Sequence, residues 1–209
     1  MTPHPGLILA SASPRRRELL GAVRVPFRVV PSQVDEDRRP GEAPRRFVLR
    51  AARDKGAEVA ARHPAAYVLS ADTVVVVGGV LLGKPRDRRD GRRMLAMLSG
   101  REHVVHTAVC LLRGRDGYRD EAVVTTRVLF RKLTDVEIAG YLRTGESDDK
   151  AGGYAAQGAG NLLIERISGS YTNVVGLPMT RVLSMLERAG LVRVLRSGRG
   201  WYGPAGRKP

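Results

Sequence analysis

The chain has one cysteine, few aromatic residues and little lysine, and each scarcity removes a class of explanation. Cys110 is the only thiol in 209 residues, so no internal disulfide can staple the fold, in keeping with a reducing compartment. Its neighbours, TAVCLL, are apolar, which marks it as a buried, inert thiol. No apolar run is long enough to span a bilayer, so no membrane partner is expected. The first residues also lack the basic-then-apolar pattern of a signal peptide, and the expected location is the cytoplasm. Aromatic residues are only 5%, and neither zinc-finger spacing nor a helix-turn-helix pattern is present. No GxxxxGK[ST] loop occurs, and no GxGxxG follows a strand.

The net charge of +15 needs an account in spite of these absences. Of 36 basic residues only five are lysine (55, 84, 132, 150 and 208), and the arginines are scattered through helices, turns and tail instead of forming a block. That distribution fits a compositional bias together with an anionic ligand better than a nucleic-acid footprint. A basic nucleic-acid binder is the alternative.

With 43% hydrophobic residues and this length, the chain can bury one ordinary core. Residues 6–12 (GLILASA) read as a buried strand, followed by a helix over 14–22 with Ser13 as cap and Pro14 at its first position. A second helix is predicted over 44–62. AYVLSAD reads as a strand, and TVVVVGGVLLG as a hairpin turned at Gly78-Gly79. DRRDGRRMLAMLSG is a helix ended by Gly100, and two long strands meet at GRDG. Thr134 and Glu137 form a capping box for a helix over 134–144. NLLIERI reads as a strand, SGSY as a turn, and 178–189 as a helix. Residues 197–209 read as a flexible basic tail, leaving 1–196 as one domain. Alternating strands and helices followed by antiparallel pairs predict an α/β fold with a mixed sheet.

Several charges fall on the wrong face of their helices. At about 100° per residue, Arg15 lies beneath Leu19 and Arg16 beneath Leu20, while Arg17 and Glu18 point away. Snorkelling stems would explain this, and so would an anion. Lys55 interrupts an apolar stripe of Val48, Ala51, Ala52 and Val59, where an ammonium needs a partner. Asp72 closes an apolar strand, either as a turn former or as a site carboxylate at a strand's carboxyl end. Lys84 sits in the rigid turn Gly83-Lys84-Pro85. The stretch SDDKAGGYAAQGAGN, with Lys150 and Gln157, is too varied for a linker and reads as a binding loop. Many cations beside Asp72 and the acidic Asp35-Glu36-Asp37 loop suit a metal-assisted phosphate site.

The motifs LILASASPRRRELL, SADTVVVVGGVLLGKP, MLSGREHVVHTAV, YLRTGESDDKAGGYAAQG and ISGSYTNVVGLP stand in this order over most of the chain. Together they resemble the Maf-like nucleoside triphosphate pyrophosphatases, and SPRR, ADT and the glutamine of KAGGYAAQG resemble the branch acting on dTTP and UTP. The resemblance implies a mixed twisted sheet with flanking helices, in the two-lobed architecture with a central cleft shared with inosine triphosphate pyrophosphatases. It implies hydrolysis of a nucleoside triphosphate between the α and β phosphates, dependence on Mg²⁺ or Mn²⁺, and a homodimer, with a cell-division regulator on the same fold as the alternative that the family's link to septation offers. Asp72 corresponds to the catalytic acidic residue, assigned as proton acceptor, and Glu36 (or Asp35) to an acidic residue near the metal. Arg15, Thr73 and Gln157 fall on positions linked to substrate choice. Lys55, Lys84 and Lys150 fall on basic positions of the site, and Ser11, Ser13 and Arg16 complete the substrate-binding set. The turn VGGVL departs from the family's usual Asp-Gly.

Overall fold

Residues 6–35, 37–194 and 202–205 are described by the computed structural model of the chain. The opening apolar run keeps three residues in the ladder, β1 (Leu7–Leu9), all of them buried. Ser13 then caps α1 (Pro14–Gly21): its hydroxyl accepts the Arg16 amide at 3.4 Å, and Pro14 fills a position whose N–H would lack a partner. β2 (Phe27–Val29) and α2 (Pro44–Arg62) follow. The two apolar stretches after α2 make one continuous strand, β3 (Tyr67–Val77), which Gly78 and Gly79 turn back into β4 (Val80–Leu82). Both glycines have positive φ, 53° and 78°, the conformation a two-residue hairpin demands. α3 (Arg88–Leu98), β5 (Glu102–Arg113), β6 (Tyr118–Phe130) and α4 (Asp135–Arg143) match expectation, including the reciprocal cap between Thr134 and Glu137.

Three segments differ from the sequence reading. Residues 161–163 belong to a 3₁₀ turn (Gly158–Leu163), so β7 is only Ile164–Ser168. The SGSY turn starts a short helix, α5 (Tyr171–Val175), because the Ser170 hydroxyl caps the Asn173 amide; α6 (Met179–Arg188) comes next. β8 (Val192–Val194) pairs with β9 (Tyr202–Pro204), so residues 202–204 of the segment expected to be a flexible tail form a strand, while 197–201 and 206–209 lie outside the described residues.

The sheet runs β2-β1-β3-β5-β6-β7, with β4 also on β3. β2, β1 and β3 are parallel and the remaining pairs antiparallel, which makes the sheet mixed. Alternation along β3 sorts what packs where. Leu69 and Ala71 enter a core with Leu20 of α1 and Val182, Met185 and Leu186 of α6. Val75 and Val77, of the same parity, enter a separate core with Leu95 and Leu98 of α3 and Ile138 and Leu142 of α4. Two lobes thus share the same long strands. Even-numbered residues face α2, where Val74 packs with Val48, Ala51 and Ala52. No helix among the described residues is long and apolar enough to cross a membrane.

α2 lies close on the sheet. The Ser70 hydroxyl donates to the Ala52 carbonyl at 2.7 Å, and a Cβ on Gly56 would sit 2.6 Å from Ser70 Oγ and 2.8 Å from Leu112 Cδ1. Gly56→Ala should therefore cost about 1–3 kcal/mol by overpacking, in spite of alanine's better helix propensity. A urea melt should show a lower midpoint at unchanged slope; an unchanged or higher midpoint would mean that α2 can back away freely.

Candidate active site

One edge of β3 is divided between two strands. β1 pairs with residues 67–69 and β4 with 75–77, whereas β5 covers the opposite edge without a break from Val68 to Val76. Among the described residues no strand lies beside 70–74 on the β1–β4 side, and this gap opens into a cleft of about 1140 Å³. Asp72 and Thr73 point to opposite faces of the sheet, yet both reach the cleft because the edge between them is open. The segments that end at the gap supply its walls. The SASPRR stretch leaves the carboxyl end of β1, and Gly83-Lys84 leaves β4. Ser11, Ser13, Arg15, Arg16 and Lys55 line the cleft, as do Lys84, Lys150 and Gln157. Glu36 lies outside the described residues, while Asp35 and Glu18, the latter expected to point away, border the cleft.

The apolar stripe of α2 explains itself at Lys55. Its ammonium donates to Asp72 Oδ1 at 2.8 Å, with the two side chains 13% and 7% exposed. A lysine amid alanines and valines is tolerated because it meets a carboxylate there, and each charge removes the other's burial penalty. Asp72 Oδ2 is buried and has no hydrogen-bond partner among the described residues. The carboxylate is therefore oriented through one oxygen and uncommitted at the other.

The two arginines on the leucine side of α1 divide their tasks. Arg16 spends its guanidinium on the protein. Nε donates to the Gly176 carbonyl at 2.9 Å, Nη1 to the Ala71 carbonyl at 2.8 Å and to Ser11 Oγ at 3.2 Å, and Nη2 to Thr73 Oγ1 at 3.1 Å. It binds α1, the open stretch of β3 and the end of α5 into one unit. Arg15 makes no hydrogen bond or ion pair with any described residue; burial lowers its pKa without removing its charge. Arg17 is exposed. The Thr73 hydroxyl, beside Arg16, also meets Thr107 Oγ1 at 3.0 Å, and Thr107 donates to the Asn173 carbonyl at 2.9 Å. Thr73 must then donate to Thr107, which leaves it one acceptor site for a ligand. Thr107 and Asn173, both fully buried, escaped the sequence reading because a threonine in a strand and an asparagine in a turn are ordinary there.

Lys84 and Lys150 are brought together by backbone. The Gly152 amide donates to the Gly83 carbonyl at 2.9 Å, and Gly152 presses on Val75, where a Cβ would stand 3.0 Å away. Lys84 has no ion pair with a described residue, whereas Lys150 contacts Asp149. Burial first, then the like charges of Arg15 and Lys84, push the Lys150 ammonium down to about 8. Three cations crowded so closely call for a polyanion between them. Gln157 lies on the same loop, its amide hydrogen-bonded to no described residue. His103, another residue without a signal in the sequence, is buried and shares a 2.8 Å hydrogen bond with the Tyr154 hydroxyl on the cleft wall. Burial pushes its imidazole down to about 4, so it stays neutral.

A divalent metal fits this donor set in a limited way. Among the described residues no group of three or more His, Cys, Asp or Glu could hold one, so these residues build no all-protein cage. The uncommitted Asp72 Oδ2 is nevertheless a hard oxygen ligand, and Mg²⁺ commonly uses one or two carboxylates with substrate phosphates.

The chain is similar to known proteins over most of its length. The dTTP/UTP pyrophosphatase of Anaeromyxobacter dehalogenans (strain 2CP-C) is 51% identical over 188 residues, covering 89% of this chain and 95% of that protein. The dTTP/UTP pyrophosphatase of Myxococcus xanthus (strain DK1622) is 51% identical over 185 residues, covering 88% and 93%. That of Geobacter sulfurreducens (strain ATCC 51573 / DSM 12127 / PCA) is 50% identical over 185 residues, covering 88% and 96%. The profile of the Maf-like protein family matches residues 6–189, both lobes and the whole cleft, and the chain belongs to that family.

Proposed function

We propose that this protein hydrolyses dTTP and UTP to the monophosphate and pyrophosphate, with modified pyrimidine triphosphates as further candidate substrates. The observation that carries the reading is Asp72: a carboxylate held by Lys55 through one oxygen, with the other uncommitted, beside a cluster of cations. The names of the relatives support the substrate class.

A nucleoside triphosphate carries about four negative charges at neutral pH, which Arg15, Lys84 and Lys150 share by charge-assisted hydrogen bonds. Arg16 does not grip phosphate beside Arg15; it holds the wall against which Arg15 works. Asp72 takes the proton of a water that attacks the α-phosphorus, the bond from that phosphorus to the bridging oxygen breaks, and pyrophosphate leaves among the lysines. Mg²⁺ or Mn²⁺, when bound, would neutralise phosphate charge, with Glu36 or Asp35 of the acidic loop as its protein ligand; Asp72 Oδ2, the other hard oxygen of the site, is the proton acceptor in this reading. The Gln157 amide offers one donor and one acceptor in a plane, matching O4 and N3–H of uracil or thymine. Cytosine reverses that pattern and leaves like groups facing each other. The cytoplasm is the proposed setting, supported by a lone, buried cysteine whose thiol is pushed up to about 12 by burial. A homodimer, and a role in septum formation, are proposed on the family resemblance.

Asp72→Asn should lower kcat for UTP by at least about 10²-fold, as for other essential acid–base groups, in a pyrophosphate-release assay with Mg²⁺ or Mn²⁺; near-normal turnover would overturn the reading. The three arginines should separate. Arg15→Ala raises KM at unchanged melting temperature, Arg16→Ala lowers both turnover and melting temperature, and Arg17→Ala changes neither. Equal effects at 15 and 17 would refute the assignment of Arg15. Lys150 adds a pH signature: protonated lysine binds the polyanion, so affinity is present below about pH 8 and falls as pH rises through it. KM for UTP should climb towards about tenfold per pH unit on the alkaline side, and Lys150→Arg, permanently charged, should flatten the profile. A wild-type KM indifferent to pH in that range would exclude the role.

A further inference from the structure

Gln157 is clamped on both sides by residues of the α4 region. The Tyr141 hydroxyl accepts the Ala155 amide at 2.9 Å. Just past the end of α4, Glu146 accepts the Ala159 amide on Oε1 at 3.0 Å and the Gly160 amide on Oε2 at 3.2 Å. One carboxylate receiving two successive amides fixes both the position and the plane of the turn that starts at Gly158. The turn is pressed down on it. A Cβ at Gly158, whose φ is 66°, would lie 2.4 Å from Glu146 Oε1, and one at Gly160 would lie 2.1 Å from the Ala155 carbonyl. Gln157 has no described hydrogen bond of its own, so its backbone must aim its amide. Glu146 also interacts electrostatically with Arg15 and Lys150, two of the phosphate cations.

We infer that Glu146 is the positioning residue for nucleobase discrimination: by holding the Ala159 and Gly160 amides it presents the Gln157 amide in the orientation that accepts uracil or thymine and refuses cytosine. The inference rests on the base-reading role proposed for Gln157. An amide that pairs two edge groups of a base tolerates only about 10–20° of misorientation, so slack in the turn is felt as lost selectivity. Glu146→Gln nearly keeps the shape but sets an NH₂ against one of the two backbone N–H groups, so one hydrogen bond is lost. Glu146→Asp keeps the charge and is one methylene too short to reach both amides.

The test compares kcat/KM for UTP and CTP in the full chain, for wild type, Glu146→Gln, Glu146→Asp, Gln157→Ala and the Glu146→Gln/Gln157→Ala double variant. Glu146→Gln should cut the UTP-to-CTP ratio about tenfold, chiefly through a higher KM for UTP, and speed hydrogen exchange at the Ala159 and Gly160 amides. The double variant should show no lower ratio than Gln157→Ala alone, since the two residues act on one contact. Three results overturn the inference: a folded Glu146→Gln protein with the wild-type ratio, equal losses for UTP and CTP, or a double-variant ratio at the product of the single losses. Should Glu146→Gln fail to fold, Glu146→Asp decides by the same ratio. If Gln157→Ala itself keeps the UTP preference, base reading by Gln157 fails, and the inference with it, on a signal distinct from failure at Glu146.

Discussion

The unpaired stretch of β3 between β1 and β4 is the constraint on which the rest of the structure depends. A sheet edge inside a protein exposes carbonyls and amides that need partners, and an opening cannot be left there without them. Arg16 meets part of that need by donating to the Ala71 carbonyl, while its other donors reach Ser11, Thr73 and Gly176. One guanidinium therefore keeps the gap from collapsing and ties it to two helices. Everything with chemical potential sits beside it: Asp72 and Thr73 on the open stretch, Arg15 on the adjacent helical position, Lys84 where β4 ends.

The charges are organised around the same opening. Several arginines elsewhere are paired with carboxylates, as with Arg50 to Glu42 at 2.7 Å, Arg53 to Glu121 across α2 and β6, and Arg181 and Arg188 to Asp120 across α6 and β6. Such pairs on a protein surface are worth little each, but they use up the positive charge locally. Arg15 and Lys84 have no such partner among the described residues, and Lys150 is crowded by both. The cleft thus gathers unspent cations from separate elements in one place, with the balanced Lys55–Asp72 pair in its lining.

Local rules carried much of the fold into the sequence. Ser13-Pro14, the Thr134/Glu137 box and Gly78-Gly79 each need only their neighbours to act, and each stands where expected. Breaks in local rules pointed to the site. Lysine within the apolar stripe of α2 exists because of Asp72, and arginines at the start of α1 oppose the helix dipole because other groups need them there. Glu146 breaks the same rule from the other side, an acid just beyond the C-terminus of α4, and its reason is a pair of amides in the following loop. What stayed hidden was partnership at long range. Helical periodicity puts Arg16 on the leucine side, but nothing local shows that its Nε meets a carbonyl 160 residues away. Thr107, Asn173 and His103 are likewise ordinary in the sequence and informative only once packed. β9 joins β8 across the intervening segment 195–201, and a pairing of three residues leaves too faint a pattern to read.

The central claim is that the cleft directs water onto the α-phosphorus with Asp72 as the proton acceptor. Hydrolysis of UTP in heavy-oxygen water, with mass analysis of both products, tests it most directly. The account predicts that the label enters the nucleoside monophosphate and leaves pyrophosphate unlabelled, in a reaction that Asp72→Asn abolishes. Label in the pyrophosphate, or release of inorganic phosphate in place of pyrophosphate, would contradict it.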